Sequence, residues 1–266
     1  MAKVSTTEHL LAAFWCAGVS GADITLDEDE VPVLDGSAKP WLDLIEGAGK
    51  VRIRKADPFM LTRAVRVEGG DGSWAEARPS MNFSLSVRTE FSNPGIGISE
   101  TTMPAHPRTW ACAHIAAART FIEESWIAPL RERGLAQGGS LENAVVLDAQ
   151  GRVLNPEGLR AHDEPHRHKI LDVLGDLALL SVDICANIHM HRPGHRLSSL
   201  LTQAMADAGC RDYDHMDRDD YRNPRMPSRK STVPRCRNMA AAAATAPMAS
   251  QDNHGLLPTR LSMSAP

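Results

Sequence analysis

Arg167-His168-Lys169-Ile170-Leu171-Asp172-Val173-Leu174-Gly175-Asp176 is the most informative run in the chain. His168 and Asp172 stand four residues apart, so on a helix they share one face, one turn apart. An imidazole and a carboxylate so placed can share a divalent ion, and can equally be an ordinary surface pair. Leu171 and Leu174 point elsewhere and can hold the helix on a core. Asp176 falls a further turn along nearly the same stripe. A long helix is therefore expected over 164–180, and the elements around it decide what kind of fold it serves.

Upstream, short β-like runs at 51–54, 61–67, 74–78 and 83–90 are separated by Gly, Asp and Pro turn signals. Helices are expected over 112–121 and 124–134, a strand over 144–147, and a further helix over 197–208. Strands and helices come in blocks without regular βαβ alternation, which points to an α+β fold. Nearer the start, Leu10, Leu11, Phe14 and Trp15 recur at helical spacing and Gly18 ends that helix, expected over 5–16. A strand at 23–26 and a helix at 40–46 follow, and Gly47 and Gly49 loosen the chain before a domain boundary near Lys50. Residues 1–50 and 51–208 are thus expected to be two α+β domains. From Gly209 apolar periodicity vanishes, Ala240–Ala244 is a bare alanine run, and 209–266 reads as a disordered tail.

Composition bounds the function. The 266 residues are 42% hydrophobic and carry 33 acidic against 29 basic side chains, a net charge of −4 that gives no footprint for nucleic acid. No apolar run is long enough to span a membrane, and the start lacks the apolar stretch of a signal peptide. The five cysteines are spread out with no CxxC pair, which suits a reducing cytoplasm rather than a disulfide framework.

Two further segments could carry chemistry. Glu8-His9 lies on the first helix, but Ser5-Thr6-Thr7-Glu8 also fits a capping box, with Ser5 as N-cap and Glu8 reaching back to it. Adjacent residues point roughly 100° apart on a helix, so Glu8 and His9 could also serve one metal in different roles. His195, in Arg192-Pro193-Gly194-His195, sits in a polar turn before a helix, where a histidine is usually just solvated. His162, His166, His189 and His191 read as solvated loop residues.

Taken together and in order, these pieces resemble the UDP-3-O-acyl-N-acetylglucosamine deacetylase family. Thr6-Thr7-Glu8-His9-Leu10-Leu11 matches its T-x-E-H-L-L segment, and Glu30 through Ala38 matches E-[IV]-P-[IV]-x-D-G-S-A. Ala118-Arg119-Thr120-Phe121 matches A-R-T-F, Gly138 through Ala144 matches G-G-S-L-x-N-A, and Leu154 through Arg160 matches L-N-x-x-G-L-R. His168 through Asp176 matches H-K-I-L-D-x-x-G-D, and Gly194-His195 is what remains of S-G-H.

The resemblance implies a cytoplasmic, monomeric zinc amidohydrolase that removes the acetyl group from UDP-3-O-acyl-N-acetylglucosamine, the committed step of lipid A biosynthesis. It implies a Zn2+ site made of His9, His168 and Asp172, the open three-ligand set of a catalytic zinc. Glu8 would be the general base and His195 the cationic partner, held in orientation by Asp176. Thr120 would help bind the oxyanion. Lys169 and Arg192 would meet the diphosphate, Phe91 would stack near uracil, and the acyl chain would lie near residues 121–137. The family fold is two α+β domains of sheets packed on helices with the zinc between them. Family members begin further upstream, so the first domain is expected to be incomplete and the apolar face of the first helix partly exposed. The alternative is a non-catalytic remnant that keeps some UDP-sugar or zinc binding.

Overall fold

The computed structural model describes residues 4–51, 57–104, 106–181, 183–210 and 261–262. Most of the expected strand at 51–54 and most of the expected tail lie outside them. The chain is α+β, with six helices among the described residues.

Its largest sheet is organised around β9, Ile184–His191. Ile184, Ala186, Ile188 and Met190 are buried while Cys185, Asn187, His189 and His191 face the other side, the period-2 pattern of a half-buried strand. On one flank β9 pairs antiparallel with β4 (Trp74–Pro79), which pairs in turn with β3 (Val65–Glu68). The other flank is shared. β2 (Phe59–Leu61) runs parallel to the start of β9 and β5 (Ser84–Glu90) parallel to the rest, with Ser84 opposite Asn187. β6 (Ile98–Thr102) closes the sheet beside β5, and β10 (Gly209–Cys210) beside β2. The sheet thus continues through Gly209 and Cys210, two residues past the point where apolar periodicity ends. Two small ribbons stand apart: β7 (Phe121–Glu123) parallel to β8 (Val145–Leu147), and β1 (Asp23–Ile24) with β11 (Leu261–Ser262).

The helices form the second layer. α6 (His195–Ala208) packs on β3 and β4, and α5 (Glu164–Ala178) packs on α6. α1 (Glu8–Ala17) lies along α5, and α2 (Lys39–Ala48) and α3 (Pro107–His114) pack on α1. α4 (Glu124–Glu132) follows β7 and buries none of its residues. One continuous apolar cluster runs from Leu10 to Ala208. Leu10, Phe14 and Trp15 are 3%, 6% and 3% exposed and only Leu11 is partly buried, so most of the apolar face of α1 is covered, against the partial exposure expected of it. The partners that cover it are α5, α2 and α3. Fully burying side chains of that size contributes about 1.5–3 kcal/mol each.

Several local expectations are corrected. The Ser5 capping box does not form: α1 starts at Glu8, and its N-cap Thr7 makes no side-chain cap. Ser5 is taken up instead by Asp29, through its backbone N–H at 2.9 Å and its hydroxyl at 3.2 Å, and Thr6 donates to Glu30. The helix expected over 112–121 lies earlier, because Pro107 starts it, and Phe121 enters β7. His189 and His191 belong to β9, whose outward polar residues disguise a central strand as a loop. His166 is buried in α5, with Nδ1 at 2.8 Å from the Thr89 hydroxyl and Nε2 at 3.0 Å from that of Thr101.

α1 meets α5 backbone to backbone at Gly175. A Cβ there would lie 2.1 Å from the Glu8 carbonyl oxygen and 2.9 Å from its Cα, so no rotamer change could relieve it. Gly175→Ala should therefore destabilise the protein by about 1–3 kcal/mol, the usual cost of overpacking. Gly47→Ala, near the end of α2 with nothing within 4 Å, should be neutral or stabilising. Thermal melts of the two variants check the contrast; equal melting temperatures would show that the contact is loose.

Candidate metal centre

The close approach at Gly175 sets the first turn of α1 against the middle of α5. His9, His168 and Asp172 converge there, all buried, with one ligand atom from each lying within 4.8 Å of the others. Asp172 divides its two oxygens. Oδ1 faces the imidazoles, 3.1 Å from His168 Nε2 and 3.9 Å from His9 Nε2, while Oδ2 accepts from Lys169 Nζ at 2.6 Å.

One proton of His168 is fixed by its other nitrogen. Nδ1 lies 3.0 Å from the Ala118 carbonyl oxygen, which can only accept, so Nδ1 carries a proton while Nε2 faces Asp172 and His9. Burial, and then the neighbouring His168, push the His9 pKa down to about 4, so its ring is neutral at neutral pH. His9 Nδ1 is a buried polar atom with no hydrogen-bond partner. Burial alone would raise the Asp172 pKa, but His168 and Lys169 hold it well below the ordinary carboxylate range. Two nitrogens and one carboxylate oxygen suit a divalent metal. Ligands at about 2.0–2.2 Å in a tetrahedral site lie about 3.3–3.5 Å apart, a spacing that the two Asp172 distances bracket. The group can hold a metal ion.

Around this group lie residues suited to proton transfer. Burial raises the pKa of Glu8, and His195, Asp172 and Asp176 all act on its charge. His195 opens α6, with Nδ1 3.1 Å from Asp176 Oδ2, and this hydrogen bond lifts its pKa to about 9 against the opposing effect of burial. A carboxyl with a raised pKa and an imidazole held cationic thus both interact electrostatically with Asp172 of this group.

The other expected site residues are placed less directly. Thr120 immediately precedes β7; its N–H donates to the Gly36 carbonyl at 2.7 Å, and its neighbours Ala118 and Phe121 both approach His168. Phe91 packs edge-on against Phe121 at 5.4 Å, and Phe121 in turn is 6.3 Å from the His168 ring. Arg192 reaches away to Asp71, donating to its carbonyl at 2.8 Å and approaching its carboxylate at 3.4 Å. The Ala118 carbonyl and the buried Arg119–Glu164 pair beside it were missed as parts of the site. The A-R-T-F match marked that segment, but nothing in it signals a carbonyl as a partner of His168.

If Asp176 holds His195 cationic, Asp176→Asn should bring the His195 pKa down from about 9 toward the ordinary value of about 6.5. The wild-type pair contributes stability that is fully present below about pH 6.5 and is lost as pH rises through about 9. NMR titration of the His195 ring in both proteins measures this, and an unchanged pKa would remove Asp176 as its cause.

Comparison with known proteins agrees with the geometry. A family model described as UDP-3-O-acyl N-acetylglycosamine deacetylase matches residues 1–207. The UDP-3-O-acyl-N-acetylglucosamine deacetylase of Shewanella loihica is 42% identical over 205 residues, covering 76% of this chain and 66% of its own length. Those of Shewanella frigidimarina and Shewanella sediminis are 42% and 41% identical over the same length and coverage. The chain therefore spans 66% of the length of these relatives. With the match extending from α1 through α6, the chain belongs to the UDP-3-O-acyl N-acetylglycosamine deacetylase family.

Proposed function

We propose that this chain is a zinc-dependent amidohydrolase that removes the acetyl group from UDP-3-O-acyl-N-acetylglucosamine in lipid A biosynthesis. The observation that carries this reading is the buried donor group of His9, His168 and Asp172, with Glu8 and His195 near enough for Asp172 to act on the charge of both. Bound there, zinc would polarise the acetamide carbonyl and acidify a water molecule.

The chain's own residues supply the remainder. Glu8 takes the proton of the attacking water, its raised pKa bringing it nearer the working pH of a general base. The Thr120 hydroxyl donates toward the oxygen that gains negative charge as the carbonyl becomes tetrahedral. His195, kept cationic by Asp176, gives its proton to the departing amine. Asp172 and His168 keep their donor atoms aimed by bonds made at their far sides, to Lys169 and to the Ala118 carbonyl.

For the substrate, Lys169 and Arg192 are read as diphosphate partners, Arg192 exchanging its contact with Asp71 for phosphate oxygens. Phe91 is read as the uracil contact, and the segment 121–137, with the unburied α4, as the acyl passage. Residues 1–50 and 51–208 are read as two units that meet where α1 touches α5. Among the described residues no helix is long and apolar enough to cross a membrane.

Purified protein should carry about one zinc per chain, and His168→Ala and Asp172→Ala should each lose it, because two ligands remain. Elemental analysis decides this; zinc content equal to wild type in His168→Ala would overturn the ligand set. Glu8→Ala and His195→Ala should keep the metal yet release acetate from UDP-3-O-acyl-N-acetylglucosamine about 10²-fold more slowly. Full activity in either variant would remove that residue from the mechanism, and metal binding without any turnover in wild type would favour the non-catalytic remnant.

A further inference from the structure

The ion pair between Arg119 and Glu164 is buried on both sides, the side chains being 1% and 0% exposed. It is bidentate, with Arg119 Nε at 2.9 Å from Glu164 Oε1 and Nη2 at 3.2 Å from Oε2. The same carboxylate accepts the backbone N–H of Arg119 at 2.9 Å and that of Arg160 at 2.6 Å. The guanidinium also donates to the Gly158 carbonyl at 2.7 Å and to Glu157. Withdrawing two charges from water is costly, and well-packed apolar residues often serve stability as well or better. Stability alone is a weak reason for this pair, so what it connects matters.

Glu164 opens α5, one turn before His168 on the same face. Arg119 directly follows Ala118, whose carbonyl oxygen accepts the His168 Nδ1 proton at 3.0 Å. On the other side of that carbonyl, Ala117 accepts from Arg160 Nη1 at 3.0 Å. The peptide that orients the imidazole is thus pinned at both ends, and one carboxylate does much of the pinning. A histidine that ligates a metal needs its remote N–H fixed, because that bond sets tautomer and ring orientation.

We propose that Arg119 and Glu164 are positioning residues for His168: their buried ion pair fixes the Ala118 carbonyl, which keeps a proton on Nδ1 and aims Nε2 at His9 and Asp172. The consequence for metal affinity rests on the metal reading above, whereas the tautomer does not.

Two measurements on the full chain test this. In metal-free protein, long-range ¹H–¹⁵N correlation spectra should show the Nδ1 of wild-type His168 protonated, and a ring with its proton on Nε2 alone would overturn the proposal. In Glu164→Gln the ring should populate both tautomers, and Co2+ affinity should fall about 10–100-fold. A variant that joins Arg119→Met with Glu164→Leu leaves no lone buried charge, so it should melt above Arg119→Met alone, though below wild type because the Arg119 and Arg160 N–H groups lose their acceptor. It should nevertheless show the same loss of tautomer and of Co2+ affinity. If its affinity returns together with its melting temperature, the pair is merely structural and the proposal fails. Failure of the metal reading looks different: His168→Ala would then take up Co2+ as wild type does, or neither would, and the metal-free spectra would still decide the proposal.

Discussion

Two helix backbones in contact set the geometry on which this protein depends. Gly175 leaves no side chain between α5 and the Glu8 carbonyl, so the axes come closer than ordinary side-chain packing permits. Ala12 and Ala13, 1% and 0% exposed, keep the middle of α1 narrow as well. The proximity lets His9, on one helix, reach Asp172 and His168 on another. A donor set drawn from two helices is only as well placed as the packing between them. An error of about 1 Å in such a site can cost on the order of 10²-fold in rate. The contact that gathers the donor group and the contact that packs the helices are here the same contact.

The same burial that fixes the geometry also sorts the charges. Glu8 is pushed toward neutrality and His9 kept neutral by loss of water, while His195, half exposed and backed by Asp176, is held positive. Asp172 stays ionised although it is buried, because His168 and Lys169 stand on opposite sides of its carboxylate. Environments that push titratable groups apart in this way are how acid and base roles become separable at one pH. Each shift has a named neighbour as well as a burial contribution. The pattern therefore belongs to the arrangement of α1, α5 and α6 rather than to any one residue.

How much of this was legible in the sequence depends on the range of the interaction concerned. The stripe of His168, Asp172 and Asp176 could be read from spacing because it lies within one helix. The strand at 83–90 could be read from alternation and differs by one residue at its start. Ser5-Thr6-Thr7-Glu8 misled because a capping box is a local pattern, and Asp29 and Glu30, which claim Ser5 and Thr6, are brought there by the fold. The central strand β9 was missed since its outward positions carry two histidines and an asparagine, which hydropathy cannot tell from a loop. His9 as a partner of His168 came only from the family resemblance, since no spacing rule links residues so far apart in the chain. The Arg119–Glu164 pair had no local signal at all, because a charge reveals its burial only once its partner is known.

The eleven histidines make the point most sharply, because the side chain is constant and only the surroundings vary. His166 spends both ring nitrogens on threonine hydroxyls and is left with no lone pair to offer. His189 and His191 flank Trp74 on the outer face of the sheet, with rings 5.1 and 5.9 Å from it, and face Glu100 and Glu90 across open surface. Neither is buried, so water competes for anything they might bind. His168 combines a proton fixed on one nitrogen by a carbonyl with a second nitrogen that faces a carboxylate in a buried space. His195 has a carboxylate behind it, and that hydrogen bond keeps its ring protonated. Histidine density therefore says little about function. What assigns a role is the atom opposite each ring nitrogen, and here those atoms are supplied by a carbonyl at Ala118, a carboxylate at Asp176 and the close seam between α1 and α5.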